Sequence, residues 1–144
     1  MKQNTLLKEN ILLELKSMTK EDAITTAGNL LVKNGYVKEN YVKSMLEKEK
    51  TCNTYIGNSI AIPHGTNDSK NEILKSGIVI LQFKDGIDYG DDKAYLVIGI
   101  AGVNDEHLEI LSKIAIAIED MNTVNKIIKS NSRTEICNIL SIDN

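Results

Sequence analysis

The chain has 144 residues, 42% hydrophobic and 26% charged, the profile of one ordinary globular domain able to bury roughly two thirds of its unfolded surface without staples. A formal net charge of −3 leaves no surplus of basic side chains to neutralise phosphates, which argues against nucleic-acid binding. The longest apolar stretch, Tyr95 to Val103, falls far short of the ~20 residues of a membrane span, and the N-terminus carries no signal-like run, so a soluble, cytoplasmic protein without membrane insertion is expected.

In chain order, Ile11 to Leu15 can form a short first strand. Lys20 to Asn34 reads as a helix, because Ala23, Ile24, Ala27, Leu30 and Leu31 repeat on one face of a 3.6-residue period. Thr19 suits its N-cap, Glu21 and Asp22 its acidic first turn, and Gly35 its C-terminal stop. A second amphipathic helix runs from about Lys38 to Lys50 through Tyr41, Val42, Met45 and Leu46. From Thr54 to Pro63 the pattern changes to short extended pieces around glycines. Gly77 to Phe83 and Tyr95 to Ala101 are continuous apolar runs rich in branched residues, the pattern of strands covered on both faces. Asp85-Gly86 and Asp91-Asp92 are expected to make the turns between them. A long helix is expected from Asp105 to about Asp120, then shorter ones over Thr123 to Lys129 and Arg133 to Leu140. No repeat, proline-rich linker or low-complexity tract divides the chain, so residues 1–144 are expected to form a single domain. Its fold class is α/β, with a mixed β-sheet sandwiched between α-helices.

Chemistry is confined to few places. Cys52 and Cys137 form no CxxC pair, which fits neither a disulfide scaffold nor a zinc ribbon and suits a reducing compartment. There are two histidines. His64 follows Pro63, the only proline, and precedes Gly65, so an apolar strand ends by presenting an imidazole on a stiff mount. His107 follows Gly102-Val103-Asn104-Asp105-Glu106, with Asn104 as a candidate N-cap that places His107 in the first turn of the long helix. Free N–H groups and the positive dipole end there favour an anion. From the residues alone, a satisfied structural histidine is the commoner reading of His64, and a surface histidine in a helix's first turn the commoner reading of His107. Two histidines without HExxH or clustered Cys/His spacing do not make a metal site, and neither GxxxxGK[ST] nor GxGxxG is present. No metal, nucleotide or other cofactor is expected. A Ser-His-Asp or Cys-His group stays open, since such groups meet only in the fold.

The segment Thr54-Tyr55-Ile56-Gly57-Asn58-Ser59-Ile60-Ala61-Ile62-Pro63-His64-Gly65-Thr66 closely resembles the active-site segment of enzyme IIA domains of the mannitol-fructose family. These belong to the bacterial phosphoenolpyruvate-dependent sugar phosphotransferase system. The resemblance continues through Leu96-Val97-Ile98-Gly99-Ile100-Ala101 and Asn104-Asp105-Glu106-His107, and covers Ala27-Gly28-Asn29-Leu30-Leu31 and Gly35-Tyr36-Val37 in the first helices. Tyr-Ile-Gly-Asn and Asn-Asp-Glu-His look more like the mannitol type than the fructose or nitrogen-regulatory types. The resemblance implies a mixed sheet between helices and a phosphocarrier phosphorylated on His64, with His107 as the second active-site histidine. It implies the phosphocarrier protein HPr as donor and a cysteine of an enzyme IIB domain as acceptor. Neither cysteine here lies in the glycine-rich loop expected of that acceptor. The family commonly has an arginine near the end of the second helix, where this chain has Lys48 within Met45-Leu46-Glu47-Lys48-Glu49-Lys50. Lysine keeps the charge for phosphoryl binding but loses the bidentate fork; a solvated helix face is the other reading of that run. A regulatory, nitrogen-type module that is phosphorylated but feeds no transporter is the alternative within the same family.

Overall fold

The computed structural model describes residues 6–140, except for the side chains of Asp105 and His107. Five strands, β1 (Ile11–Leu12), β2 (Tyr55–Gly57), β3 (Ile60–Ala61), β4 (Gly77–Tyr89) and β5 (Asp92–Ala101), form one sheet in the order β1-β4-β5-β3-β2. β1 with β4 and β3 with β5 are parallel; β4 with β5 and β2 with β3 are antiparallel. Five helices, α1 (Lys20–Lys33), α2 (Asn40–Thr51), α3 (Glu106–Ala117), α4 (Met121–Lys129) and α5 (Arg133–Ile139), cover it.

The unbroken apolar runs of β4 and β5 are buried on both faces because alternate residues serve two cores. Val79, Leu81, Phe83 and Val97 pack with Ala23, Ala27, Leu31, Tyr41 and Met45 of α1 and α2. Ile78, Ile80, Ile98 and Ile100 pack with Ile110, Ile114, Val124, Ile127 and Ile136 of α3, α4 and α5. This is the helix–sheet–helix layering that two apolar strand faces demand. The cap of α1 forms as expected: Thr19 Oγ1 accepts from Asp22 N at 3.1 Å.

Three local expectations are corrected. Asp85-Gly86 does not end a strand; β4 runs on to Tyr89, and the register with β5 shifts between Gln82 and Ile87. Gly86 takes φ 74°, a conformation that a bulge uses as readily as a turn, so the pair bends the ribbon without reversing it. The reversal falls at Gly90-Asp91. The long helix stops at Ala117, and Asp120 instead caps α4, its carboxylate accepting from Asn122 N at 2.9 Å. Asn104 is not the cap of α3: it has φ 51° and ψ 42° inside a 3-10 turn (Val103–Asp105), and α3 begins at Glu106. Ser76 holds that turn, its Oγ accepting from Val103 N at 2.9 Å and donating to the Glu106 carboxylate.

Because β3 and β5 run parallel, their C-terminal ends emerge on the same side of the sheet. Pro63 and His64 follow β3 there, and the first turn of α3 follows β5 there. Clefts at the carboxyl ends of strands are the usual binding places of α/β sheets.

Candidate functional site

The segment carrying His64 is extended and tied to β5. Ile100 N donates to Pro63 O at 3.1 Å, and His64 forms an isolated parallel bridge with Ile100. All described peptide bonds are trans, so Pro63 contributes a fixed φ and no donor. His64 is half-buried, with Nδ1 2.8 Å from Ile62 O. A carbonyl oxygen can only accept, so Nδ1 carries a proton, and in the neutral ring the lone pair belongs to Nε2. The sequence expectation of an anchored imidazole is met by the carbonyl two residues upstream.

α2 holds the other side of the histidine. Gly65 N donates to the Tyr41 hydroxyl at 2.9 Å, and that hydroxyl donates its single proton to Ile100 O at 2.8 Å. Burial pushes the Tyr41 phenol up to about 12, against the lowering effect of the Gly65 bond, so it remains a donor at any ordinary pH. One turn along, Ser44 Oγ accepts from Thr66 N at 2.8 Å. A Cβ on Gly65 would lie 2.5 Å from both Ser44 Oγ and Tyr41 Cε1. The glycine after His64 thus admits the chain's own α2.

Behind the histidine stands a second series of bonds. Ile62, whose carbonyl accepts the hydrogen bond of the imidazole, donates its own N–H to Thr54 O at 3.0 Å. Thr54 donates N–H and hydroxyl to the Glu49 carboxylate at 2.9 and 2.6 Å. Glu49 also accepts from the Tyr89 hydroxyl at 3.0 Å and pairs with Lys20 Nζ at 3.0 Å. Burial first, then the neighbouring Glu49 charge, raises the Tyr89 phenol far above its ordinary range, against the lowering effect of its 2.8 Å hydrogen bond with the Thr54 hydroxyl.

His64 lines a small pocket together with Tyr41, Thr66, Asn67, Lys70 and Gly102. Lys70 belongs to a 3-10 helix (Asn67–Glu72) fastened by Ser69, whose N–H and hydroxyl both donate to Thr66 O, at 3.1 and 2.5 Å. Lys48 lies on the face of α2 that carries Tyr41 and Ser44, one turn past Ser44, half-buried, and is not among the described residues lining the pocket. His107 falls in the first turn of α3, as expected, and so at the same end of the sheet as His64; its side chain lies outside the described residues. Sequence reading missed Tyr41, counted there as an apolar position, and Ser44, Glu49 and Lys70, whose polar settings carry no distinguishing signal. Among the described residues, no group of three or more His, Cys, Asp or Glu is placed to hold a metal, and no helix is long and apolar enough to cross a membrane.

The family description "Phosphoenolpyruvate-dependent sugar phosphotransferase system, EIIA 2" matches residues 4–142. The chain belongs to this enzyme IIA family. It is 50% identical over 137 residues to the mannitol-specific phosphotransferase enzyme IIA component of Geobacillus stearothermophilus, covering 94% of each chain. Among solved structures it resembles the crystal structure of mannitol IIA from Escherichia coli, with a TM-score of 0.88 and 43% identity over 94% of this chain and 98% of that one. It likewise resembles a structure of the complex between enzyme IIAMTL and phosphorylated enzyme IIBMTL from the same organism, with a TM-score of 0.90 and 43% identity over 94% and 96% of the chains. The five-stranded mixed sheet between helices is therefore the fold of this IIA family.

Proposed function

We propose that this IIA chain, acting over residues 1–144 as one domain, is a phosphocarrier of a mannitol phosphotransferase system in the cytoplasm. It accepts a phosphoryl group on His64 Nε2 from phosphorylated HPr and passes it to a cysteine of an enzyme IIB domain. The observation that carries this reading is the bond from His64 Nδ1–H to Ile62 O, which assigns the nucleophilic role to Nε2 of a histidine that lines a small pocket. Relatives named for mannitol, and one solved in complex with phosphorylated IIB, support the substrate and the acceptor.

In the forward step the Nε2 lone pair forms the new N–P bond in line as the donor's P–N bond breaks, and that electron pair returns to the donor imidazole. The proton stays on Nδ1 throughout, donated to Ile62 O. Such transfer demands positioning and charge stabilisation more than covalent help. No metal or nucleotide enters, because the donor's P–N bond already holds the free energy. His107, at the N-terminal turn of α3 where backbone N–H groups face an anion, serves the phosphoryl oxygens. Lys48 supplies positive charge from the α2 face that already grips Gly65 and Thr66. The experiment is passage of label: protein phosphorylated through HPr is mixed with the mannitol IIB domain. Label moving to the IIB cysteine is the expected result. Label retained on His64 identifies the regulatory, nitrogen-type alternative.

A further inference from the structure

Resting on the reading of His64 as the phosphorylated residue, we infer that Lys70 is the cation that receives the phosphoryl oxygens at His64. A phosphoryl group on Nε2 brings about 1.5 to 2 negative charges into the pocket in front of the ring. The side chains lining that pocket are neutral at Tyr41, Thr66, Asn67 and Ile73; beside His64 itself, Lys70 is the ionisable lining group among the described residues. Its backbone is not adrift. The 3-10 helix that carries it is pinned to Thr66 through Ser69 and closed by Ile73 N donating to Lys70 O at 3.1 Å, while Thr66 N is itself held by Ser44. Six residues after the histidine, the lysine therefore projects from a stretch that the same α2 hydroxyls fix to the His64 segment. Its side chain is exposed, which lets a flexible ammonium swing onto a charge that arrives with one partner and leaves with another. Lys70 moves no proton. It lowers the electrostatic cost of placing a dianion on His64 and releases it unchanged.

The test uses full-length wild type, Lys70→Gln, Lys70→Arg and Lys48→Gln, with Lys50→Gln on the exposed side of α2 as the control for net charge. Two readouts are taken: the rate of phosphoryl transfer from HPr, and the ³¹P titration of phosphorylated His64. Lys70→Gln should slow transfer about tenfold, less than the ~10²-fold typical of a donor in a closed site because this pocket is open to water. It should also move the second ionisation of the phosphoryl group to higher pH, since a nearby ammonium favours the dianion. Lys70→Arg should restore both, and Lys50→Gln should move neither. If Lys70→Gln matches Lys50→Gln in both readouts, or if Lys48→Gln produces both changes and Lys70→Gln does not, the inference is overturned. A wild type that takes no phosphate from HPr defeats the phosphocarrier reading as well, a result distinct from either of those.

Discussion

The hydroxyl of Tyr41 does two jobs with one proton: it donates to Ile100 O and accepts from Gly65 N, so a residue from α2 locks the turn after His64 onto the end of β5. Tyr41 is 3% exposed, so Tyr41→Phe strands a donor and an acceptor in a dry place and should cost roughly 1–3 kcal/mol, read by urea unfolding at neutral pH. The same phenol has a pH signature. Its folded value, about 12, lies above the ordinary 10.0, so the native state holds the proton where the unfolded chain releases it. The stabilisation is whole below pH 10 and drains away as pH climbs toward about 12. The stability gap between wild type and Tyr41→Phe should therefore close across that window, while the lysines and Tyr89, common to both proteins, cancel. A gap that stays constant through it would show that the phenol is not held protonated by the fold.

At the scale of elements, α2 is the organiser of the site, and its last turn acts through Glu49. The carboxylate, whose side chain is 7% exposed, gathers Thr54, Tyr89 and Lys20, and Thr54 in turn supports Ile62 and so the imidazole. Glu49→Ala removes the shared acceptor of Lys20, the Thr54 N–H and the Thr54 and Tyr89 hydroxyls, which keep only each other; a loss on the order of 3 kcal/mol is expected in thermal or urea unfolding, whereas Glu47→Ala on the exposed side should stay within about 0.5 kcal/mol. Equal effects of the two would reduce Glu49 to surface charge. None of this was legible beforehand, because Glu-Lys-Glu-Lys at helical spacing looks like any solvated face until the fold puts Thr54 against it. The helices were legible because α1 and α2 each bury one stripe of a 3.6-residue pattern. Asp85-Gly86 was misread because a positive-φ glycine serves a bulge and a hairpin alike, and Asn104 because a good capping residue one place ahead of the cap position was diverted into a tight turn tied to Ser76.

For the molecule as a whole, the continuous apolar runs at Gly77 and Tyr95 could be satisfied only by helices on both faces, which is why the fold class was readable from pattern. Of the proposed site, the Pro-His-Gly mount singles out His64 in the sequence, whereas the Tyr41 clamp and the Lys70 pocket depend on contacts between residues far apart in sequence, such as Tyr41 with Ile100. The proposed function turns on one nitrogen: Nε2 of His64, the ring nitrogen opposite the Nδ1 that bonds Ile62 O, is the proposed landing place of the phosphoryl group. The direct measurement is intact mass after incubation with phosphoenolpyruvate, enzyme I and HPr, on wild type and on a folded His64→Gln variant. Wild type should gain the mass of one phosphoryl group, labile to acid and stable to alkali as a phosphoramidate is, and His64→Gln should gain none. A His64→Gln protein that still takes up one phosphoryl group, or a wild type that takes up none, would contradict it.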